Sequence, residues 1–436
     1  MKQDFVMLRV TLDKKRKMQE RKIVNSHVSG ASQSKLIANA REIAPRLARR
    51  APVAEAERRL SAETMRDLHQ AGLLAMVIPL DQGGTEADLA TQLEVYQVIG
   101  GACASTAWVL GNHLVLCTRL LGMLGAAAKP YIDDVTQNGM VVAHAAVPGG
   151  TTKAVDGGFV MEGRWPFVSG VNVAGSILLS TMVPGPAPGW QPPAGGAGKG
   201  VADPPASHNR WMLVSPDDPG LRIEETWRAM SLRASMCNDV VLNEIFVPED
   251  LAPVNDQPPP HRSWLPDGPP ALRVPLRARV WMSAMMLGIA QAAMDDTIEY
   301  ATDHKMSIGG QARTSMPGNQ FAVADAAMEI ESARAFLYQE VRAIMAKAEA
   351  GAEFQPMDAT RMEMAGLVAR ENAIKAVDKL FTIRGANGIF EAGNFERYYR
   401  DVRVGTLHAA TSPNLTREQV GKSLFGIPTN VQPRWG

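Results

Sequence analysis

A change in apolar periodicity near residue 140, reversed near residue 276, constrains this chain more than any other feature. Up to residue 139 the apolar positions recur at helical spacing. Met65, Leu68, Leu73 and Leu74 form one stripe, a break follows at Pro79 and Gly83-Gly84, and two further helices are expected over about Leu89–Gly100 and Ser105–Leu124. Short β-rich runs then take over: Val141–Ala143, Phe159–Met161, Ile177–Ser180, Trp211–Val214, Val240–Leu242 and Ile245–Val247, with Gly, Pro, Asn and Asp between them. The helical period returns in Val323, Ala327, Ile330, Leu337, Val341 and Ile344, and again in Ile374, Val377 and Phe381. Gly385 is placed to cap that helix, and a last helix is expected over about Arg417–Leu424.

Strands gathered in one block cannot build a βαβ sheet, and no GxGxxG follows a strand, so a Rossmann domain is excluded. The expectation is an α+β chain. A basic, flexible extension covers 1–33, a helical domain 34–139, an antiparallel β-barrel-like domain 140–251, a Pro-rich linker 252–275 and a C-terminal helical bundle 276–436. A Pro/Gly-rich insertion over 183–208 interrupts the β-domain. Its Gly195–Gly200 run is no phosphate loop, because Pro193 stands at the first glycine position and Gly200 replaces the magnesium-binding Ser/Thr.

With 436 residues the chain buries a large core without disulfide or metal staples. Lys plus Arg number 45 and so do Asp plus Glu, a balance that disfavours binding to phosphate backbones. No apolar run is long enough to suggest a membrane span. Cys103, Cys117 and Cys237 form no CxxC and read as free thiols of a cytoplasmic protein. No His/Cys/carboxylate cluster has metal-ligand spacing, so no metal is expected.

One string in the β block is distinctive: Gly157-Gly158-Phe159-Val160-Met161-Glu162-Gly163-Arg164-Trp165-Pro166-Phe167-Val168-Ser169-Gly170. Together with Ser105-Thr106-Ala107-Trp108 upstream and Arg400-Asp401-Val402-Arg403 to His408 downstream, it resembles the acyl-CoA dehydrogenase superfamily over about residues 40–426. The closer likeness is to the flavin-dependent two-component monooxygenases of the 4-hydroxyphenylacetate and dibenzothiophene type. The resemblance implies an N-terminal helical domain, a β-barrel-like middle domain, a C-terminal four-helix bundle and a homotetramer. It also implies FMN or FAD, supplied in reduced form by a separate flavin reductase. Oxygen would add at flavin C4a to form a C4a-hydroperoxyflavin, and one oxygen atom would pass to a small organic, aromatic substrate.

The choice of branch rests on a missing base. Superfamily dehydrogenases carry a glutamate in a Tyr-Glu-Gly-Thr segment after the last Arg-Asp, whereas His408-Ala409-Ala410-Thr411-Ser412 holds no acid. Arg279–Gln291, where some dehydrogenases place the base instead, has none either. Abstraction of an α-proton then lacks a base. Ala146-Val147-Pro148-Gly149 also replaces the family's Thr-Glu-Pro segment. The rivals are an acyl-CoA dehydrogenase-like enzyme with a relocated base and a non-catalytic scaffold of the same fold.

By this resemblance Phe167, Val168, Ser169 and Gly170 hold the flavin. The Ser169 hydroxyl serves N5, because a group that both donates and accepts suits the oxidised and the reduced ring alike. His408, with an ordinary pKa of about 6.5, handles protons. His144, Trp108 and Asn112 or His113 line the substrate side. Trp108 and Asn112 share a helix face, while His113 points about 100° away, so at most one of the pair Asn112/His113 faces the pocket. Strand alternation puts Trp165, Phe167 and Ser169 on one face, with Trp165 read as core. Arg400 and Asp401 are expected to form an ion pair that orders the bundle end. Arg334 and the remaining histidines, His27, His69, His208, His261 and His304, are read as structural or solvated.

Overall fold

The computed structural model describes residues 32–189, 205–254, 277–305 and 309–427. The expectations for the basic extension, the Gly195–Gly200 run, most of the Pro-rich linker, His27 and His261 therefore fall outside the described residues. Five helices come first: α1 (32–57), α2 (Ala62–Gln70), α3 (Leu89–Ala102), α4 (Ala104–Met123) and α5 (Lys129–Asn138). Their starts follow side-chain capping. Ser61 accepts the Thr64 N–H ahead of α2, and Asp88 accepts the Thr91 N–H at 2.7 Å ahead of α3. A single extended residue, Cys103, separates α3 from α4.

The β region is two sheets. Strands β1 (Val141–Ala145), β4 (Ala174–Pro184) and β5 (Ser207–Val214) form the first in the order β1-β4-β5. Strands β2 (Thr151–Val155), β3 (Gly158–Val168), β7 (Asn238–Pro248) and β6 (Leu221–Glu224) form the second in the order β2-β3-β7-β6. The described strands stack as a sandwich with no closed barrel, and one pair, β1 with β4, is parallel. That pairing refines the antiparallel expectation: the chain leaves β1, builds the β2–β3 hairpin of the other sheet, and returns in the same direction.

Alternate residues of the first sheet serve two different cores. Ile177, Leu179, Met212 and Val214 meet Trp165, Val168, Val240 and Leu242 inside the sandwich, while Val142, Leu178, Trp211 and Leu213 pack on the helices. With both faces buried, these strands read as continuous apolar runs. The two runs expected at 240–242 and 245–247 are one strand, β7, in which Glu244 takes φ +51° near a register shift against β3. At the tip of the first sheet Gly185 N–H donates to Ala206 O at 2.8 Å, and Pro184 pairs with Ser207.

The last third comprises α6 (Arg277–Asp303), α7 (Pro317–Ala350), α8 (Pro356–Arg384), α9 (Phe395–Asp401), α10 (Val404–Leu407) and α11 (Pro413–Leu424). Helices α6, α7, α8 and α11 make the bundle. Gly385, at φ +56°, caps α8 as expected, whereas α11 starts earlier than expected, with Pro413 in its first turn. The N-terminal helices dock onto this bundle by close approach of α3 and α6. A Cβ on Gly101 would lie 2.9 Å from the Gly288 carbonyl oxygen, and one on Gly288 would overlap the Gln97 backbone. Arg334 ties the junction by donating to Gln97 Oε1 at 3.1 Å and Gln291 Oε1 at 2.8 Å.

Candidate active site

The site begins at an irregularity in β3. The pairing with β7 shifts register between Trp165 and Val168, and Phe167 adopts φ +59°. The alternation of faces fails there as a consequence. Trp165 and Val168 are both fully buried, and Phe167 turns outward, 66% exposed, with its ring edge-on to Trp227 at 6.2 Å. Trp165 is core, its indole N–H donating to Ser180 O at 2.7 Å. The Val168 side chain lies in the sandwich core, and the residue exposes no surface. Gly170, at φ +75°, ends the segment against α4, where a Cβ would meet Val109 at 2.9 Å, and its N–H donates to Ser235 O at 2.9 Å.

Between these turns Ser169 is buried and held from two sides. Trp108 Nε1–H donates to Ser169 Oγ at 3.0 Å, and Cys237 Sγ lies 3.0 Å from the same oxygen. Cys237 Sγ is in turn 3.0 Å from Ser235 Oγ. An indole nitrogen only donates, so the serine oxygen accepts there and its own proton remains to be directed at the thiol or at a ligand. The Trp108 nitrogen is thus committed to Ser169 instead of to substrate. Its ring meets Trp281 at 5.3 Å and His408 at 5.8 Å, both edge-on. His408 Nδ1 accepts the Ala410 N–H at 3.2 Å, which places the proton of the neutral ring on Nε2. Ser169, Trp108 and His408, far apart in sequence, therefore share one centre.

His144 and His113 divide differently from the expectation that groups them together. His144 on β1 lies 6.1 Å from the Trp211 ring, and burial, aided by the nearby Arg119 and His408, holds its pKa down to about 3. His113 is wholly structural. Its Nδ1 accepts Val142 N–H at 3.0 Å, its Nε2 reaches Leu74 O at 2.9 Å, and burial lowers its pKa to about 4. Asn112 is buried with its amide donating to Trp108 O at 2.8 Å along its own helix. Cys237 and Ser235 went unrecognised in the sequence, where a lone Cys carries no spacing signal.

Arg400 and Asp401 do not form the expected pair with each other. Arg400 bridges Glu55 at 2.9 Å and Glu396 at 2.6 Å, whereas Asp401 accepts the Leu232 N–H at 2.7 Å, and its burial raises its pKa to about 6. Together they fasten the loop that carries Ser235 and Cys237. His69, His208 and His304 each bond a backbone carbonyl, of Thr136, Gly185 and Tyr300 respectively. Among the described residues no group of three His, Cys, Asp or Glu could hold a metal ion.

The buried histidines make stability fall with acid. Unfolded imidazoles take up protons near pH 6.5, while His113 and His144 stay neutral in the fold until about pH 4 and 3, so their contribution is complete above pH 6.5 and is lost below it. From pH 7 to 5 each loses about 2 kcal/mol, against about 1 kcal/mol gained as buried Asp401 takes a proton. Denaturant unfolding is expected to show a net loss of about 3 kcal/mol, reduced by about 2 kcal/mol in His113→Gln once its own baseline is subtracted. Stability that is flat or rises on acidification would contradict this assignment.

A flavin fits this centre on the chain's own features. An accessible aromatic in a left-handed backbone, Phe167, stands two residues from a buried hydroxyl that an indole holds from behind. Two family models match the chain: "Acyl-CoA dehydrogenase, N-terminal domain" over residues 31–129 and "Acyl-CoA dehydrogenase, C-terminal domain" over 280–413, together more than half its length. The flavin-dependent monooxygenase oxygenase subunit HsaA of Rhodococcus jostii is 25% identical, over 88% of this chain and 96% of its own. The putative acyl-CoA dehydrogenase YdbM of Bacillus subtilis is 27% identical, over 80% and 85%. Among solved structures, XiaF from a Streptomyces species, in complex with FADH2 and glycerol, superposes with a TM-score of 0.82 at 24% identity, covering 94% of this chain and 99% of that one. The match at both ends, the continuous structural likeness and the shared order of domains place this chain in the acyl-CoA dehydrogenase superfamily.

Proposed function

We propose that the protein is the oxygenase component of a two-component flavin-dependent monooxygenase acting on a small aromatic substrate. The observation that carries this reading is the Ser169–Trp108–His408 centre, in which a buried hydroxyl is oriented by an indole and an imidazole meets that same indole. A reduced flavin bound here would supply two electrons to activate molecular oxygen, which gives one atom to the substrate and the other to water. The chain's residues do the rest. Ser169 presents its hydroxyl proton to the ring edge, Phe167 covers the ring from the strand end, and His408 Nε2 exchanges a proton with substrate. Trp108, Trp281 and Tyr96 form an aromatic wall that excludes water. The dehydrogenase alternative, to which the likeness to YdbM points, lacks a base, since the segment after His408 is Ala409-Ala410 and the described residues Val280–Gln291 of α6 carry no acid.

The reading extends to partners. A separate reductase supplies the reduced flavin, and the enzyme works in the cytoplasm, in keeping with three buried free thiols. It assembles as a homotetramer through the C-terminal bundle, where Phe321, Met328, Ile389, Phe390, Leu407 and Phe425 are exposed.

Anaerobic mixing with reduced FMN or FAD, followed by an oxygen jump, tests the proposal. A transient absorbance that outlives the reaction of free flavin is expected, on a sample that light scattering weighs as four chains. Return to oxidised flavin as fast as without protein would remove the oxygenase reading, and bleaching of oxidised flavin by an acyl thioester would replace it with the dehydrogenase one.

A further inference from the structure

The 232–237 loop brings a thiol and a second hydroxyl up behind Ser169. Leu232 at φ +49° and Met236 at φ +52° bend the loop, and such residues persist only where their surroundings over-determine them. Three bonds to other elements do so. Asp401 accepts the Leu232 N–H at 2.7 Å, Ser105 Oγ accepts the Ala234 N–H at 3.3 Å, and the Gly170 N–H donates to Ser235 O at 2.9 Å. The outcome is a row of three buried atoms, Ser235 Oγ, Cys237 Sγ and Ser169 Oγ, each 3.0 Å from the next.

Counting protons gives the row a direction. The Ser235 side chain is fully buried, and Cys237 Sγ is the one partner of its hydroxyl among the described residues. A buried donor left unmet costs more than an acceptor with a spare lone pair, so Ser235 donates to the sulfur. Burial pushes the Cys237 thiol above its ordinary pKa, outweighing its contacts with Ser169, Ser235 and Trp108, so the sulfur keeps its own proton. That proton reaches Ser169 Oγ at 3.0 Å or the Ser235 carbonyl oxygen at 3.9 Å, and the carbonyl already accepts from Gly170. The thiol therefore donates to Ser169. With the Trp108 N–H on the same oxygen at 3.0 Å, both serine lone pairs are taken and the Ser169 proton points outward.

We infer that Ser235 and Cys237 are positioning residues, a one-way chain running from Ser235 through Cys237 that confines the Ser169 hydroxyl to donating. The direction of the chain stands on these contacts, whereas its use rests on the oxygenase reading. A hydroxyl confined to donating suits the oxidised ring, whose N5 accepts, and opposes the reduced ring, whose N5–H donates. Ser169 so held stabilises the oxidised ring relative to the reduced one, which makes reduced flavin at this site a stronger donor of electrons to oxygen.

The Cys237 thiol reports its own direction. An S–H bond that donates to oxygen absorbs at lower infrared frequency than a free one, in a window clear of other protein bands. Subtracting the spectrum of flavin-free Cys237→Ser from that of the flavin-free wild type isolates the Cys237 band from those of Cys103 and Cys117. Ser169→Ala removes the acceptor and is expected to move the band up, whereas Ser235→Ala should leave it near its wild-type position. A band that ignores Ser169→Ala, or moves up in Ser235→Ala instead, would overturn the inference.

Equilibrium binding of oxidised and dithionite-reduced FMN, repeated with FAD, reads the consequence. Cys237→Ala should weaken oxidised relative to reduced flavin by about fivefold, and Cys237→Ser, which keeps a donor in place, should restore the ratio. An unchanged ratio in Cys237→Ala, or a change that Cys237→Ser does not restore, would also overturn the inference. Should Ser169→Ala fail to fold by circular dichroism, Ser235→Ala and the affinity ratios decide. The expected bands without uptake of either flavin remove the oxygenase reading and leave the chain, whereas flavin uptake with a band indifferent to Ser169 removes the chain alone.

Discussion

Gly288→Val is expected to destabilise the protein by about 4 kcal/mol or to prevent its accumulation altogether. Added methyl groups in a packed interior cost about 1–3 kcal/mol when side chains can shift. Here they cannot, because the obstruction is the backbone of Gln97 on the facing helix, with Gly100 and Gly101 already in close approach to Met285 and Gly288. Relief requires α3 and α6 to move apart, which also pulls Gln97 away from Arg334. Denaturant unfolding against Gly421→Ala, at a position where a Cβ meets nothing, is the measurement. A loss below about 1 kcal/mol would show that the two helices do not cross as described.

The largest effect on chemistry is expected at Ser169. Ser169→Ala should lower the yield of oxygenated product by about 10²-fold, the usual scale for a positioned group that donates or takes a proton. Flavin oxidation would continue as wasted hydrogen peroxide. Trp108→Phe retains an aromatic ring but removes the indole N–H that donates to the serine oxygen, so a smaller loss of about tenfold is expected there. Product and peroxide measured together against flavin consumed separate the two outcomes. Coupling within threefold of wild type in Ser169→Ala would exclude the hydroxyl from the reaction.

Much of this architecture was legible in the sequence, for physical reasons that can be named. The change of period at residue 140 marks the β region because strands and helices bury side chains at different spacings. The strands that were missed, β2 and β6, are edge strands. β2 is Thr-Thr-Lys-Ala-Val with only Thr152 buried, and such a strand has no apolar alternation to detect. The face of Phe167 was unreadable because a register shift, not a residue type, turns it out. His113 and His144 are the same residue type beside apolar neighbours, and only tertiary contacts separate the one bonded on both nitrogens from the one with a nitrogen unmet among the described residues. The motif string located Ser169. That Trp108 holds it and Cys237 flanks it emerges only when α4, β3 and the 232–237 loop converge.

The hairpin tip of the first sheet has a consequence for how chains of this kind diverge. Pro184 and Ser207 are strand partners, and Gly185 and Ala206 are joined by a backbone hydrogen bond, so whatever lies between enters and leaves at one point. Loop length adds only logarithmically to the entropy of closure. Lineages can therefore gain or shed sequence at this position at little thermodynamic cost, while the ladder below, with Trp211 one way and Met212 the other, stays in register. Length at this point and the geometry of the reaction centre can then change independently within one small domain.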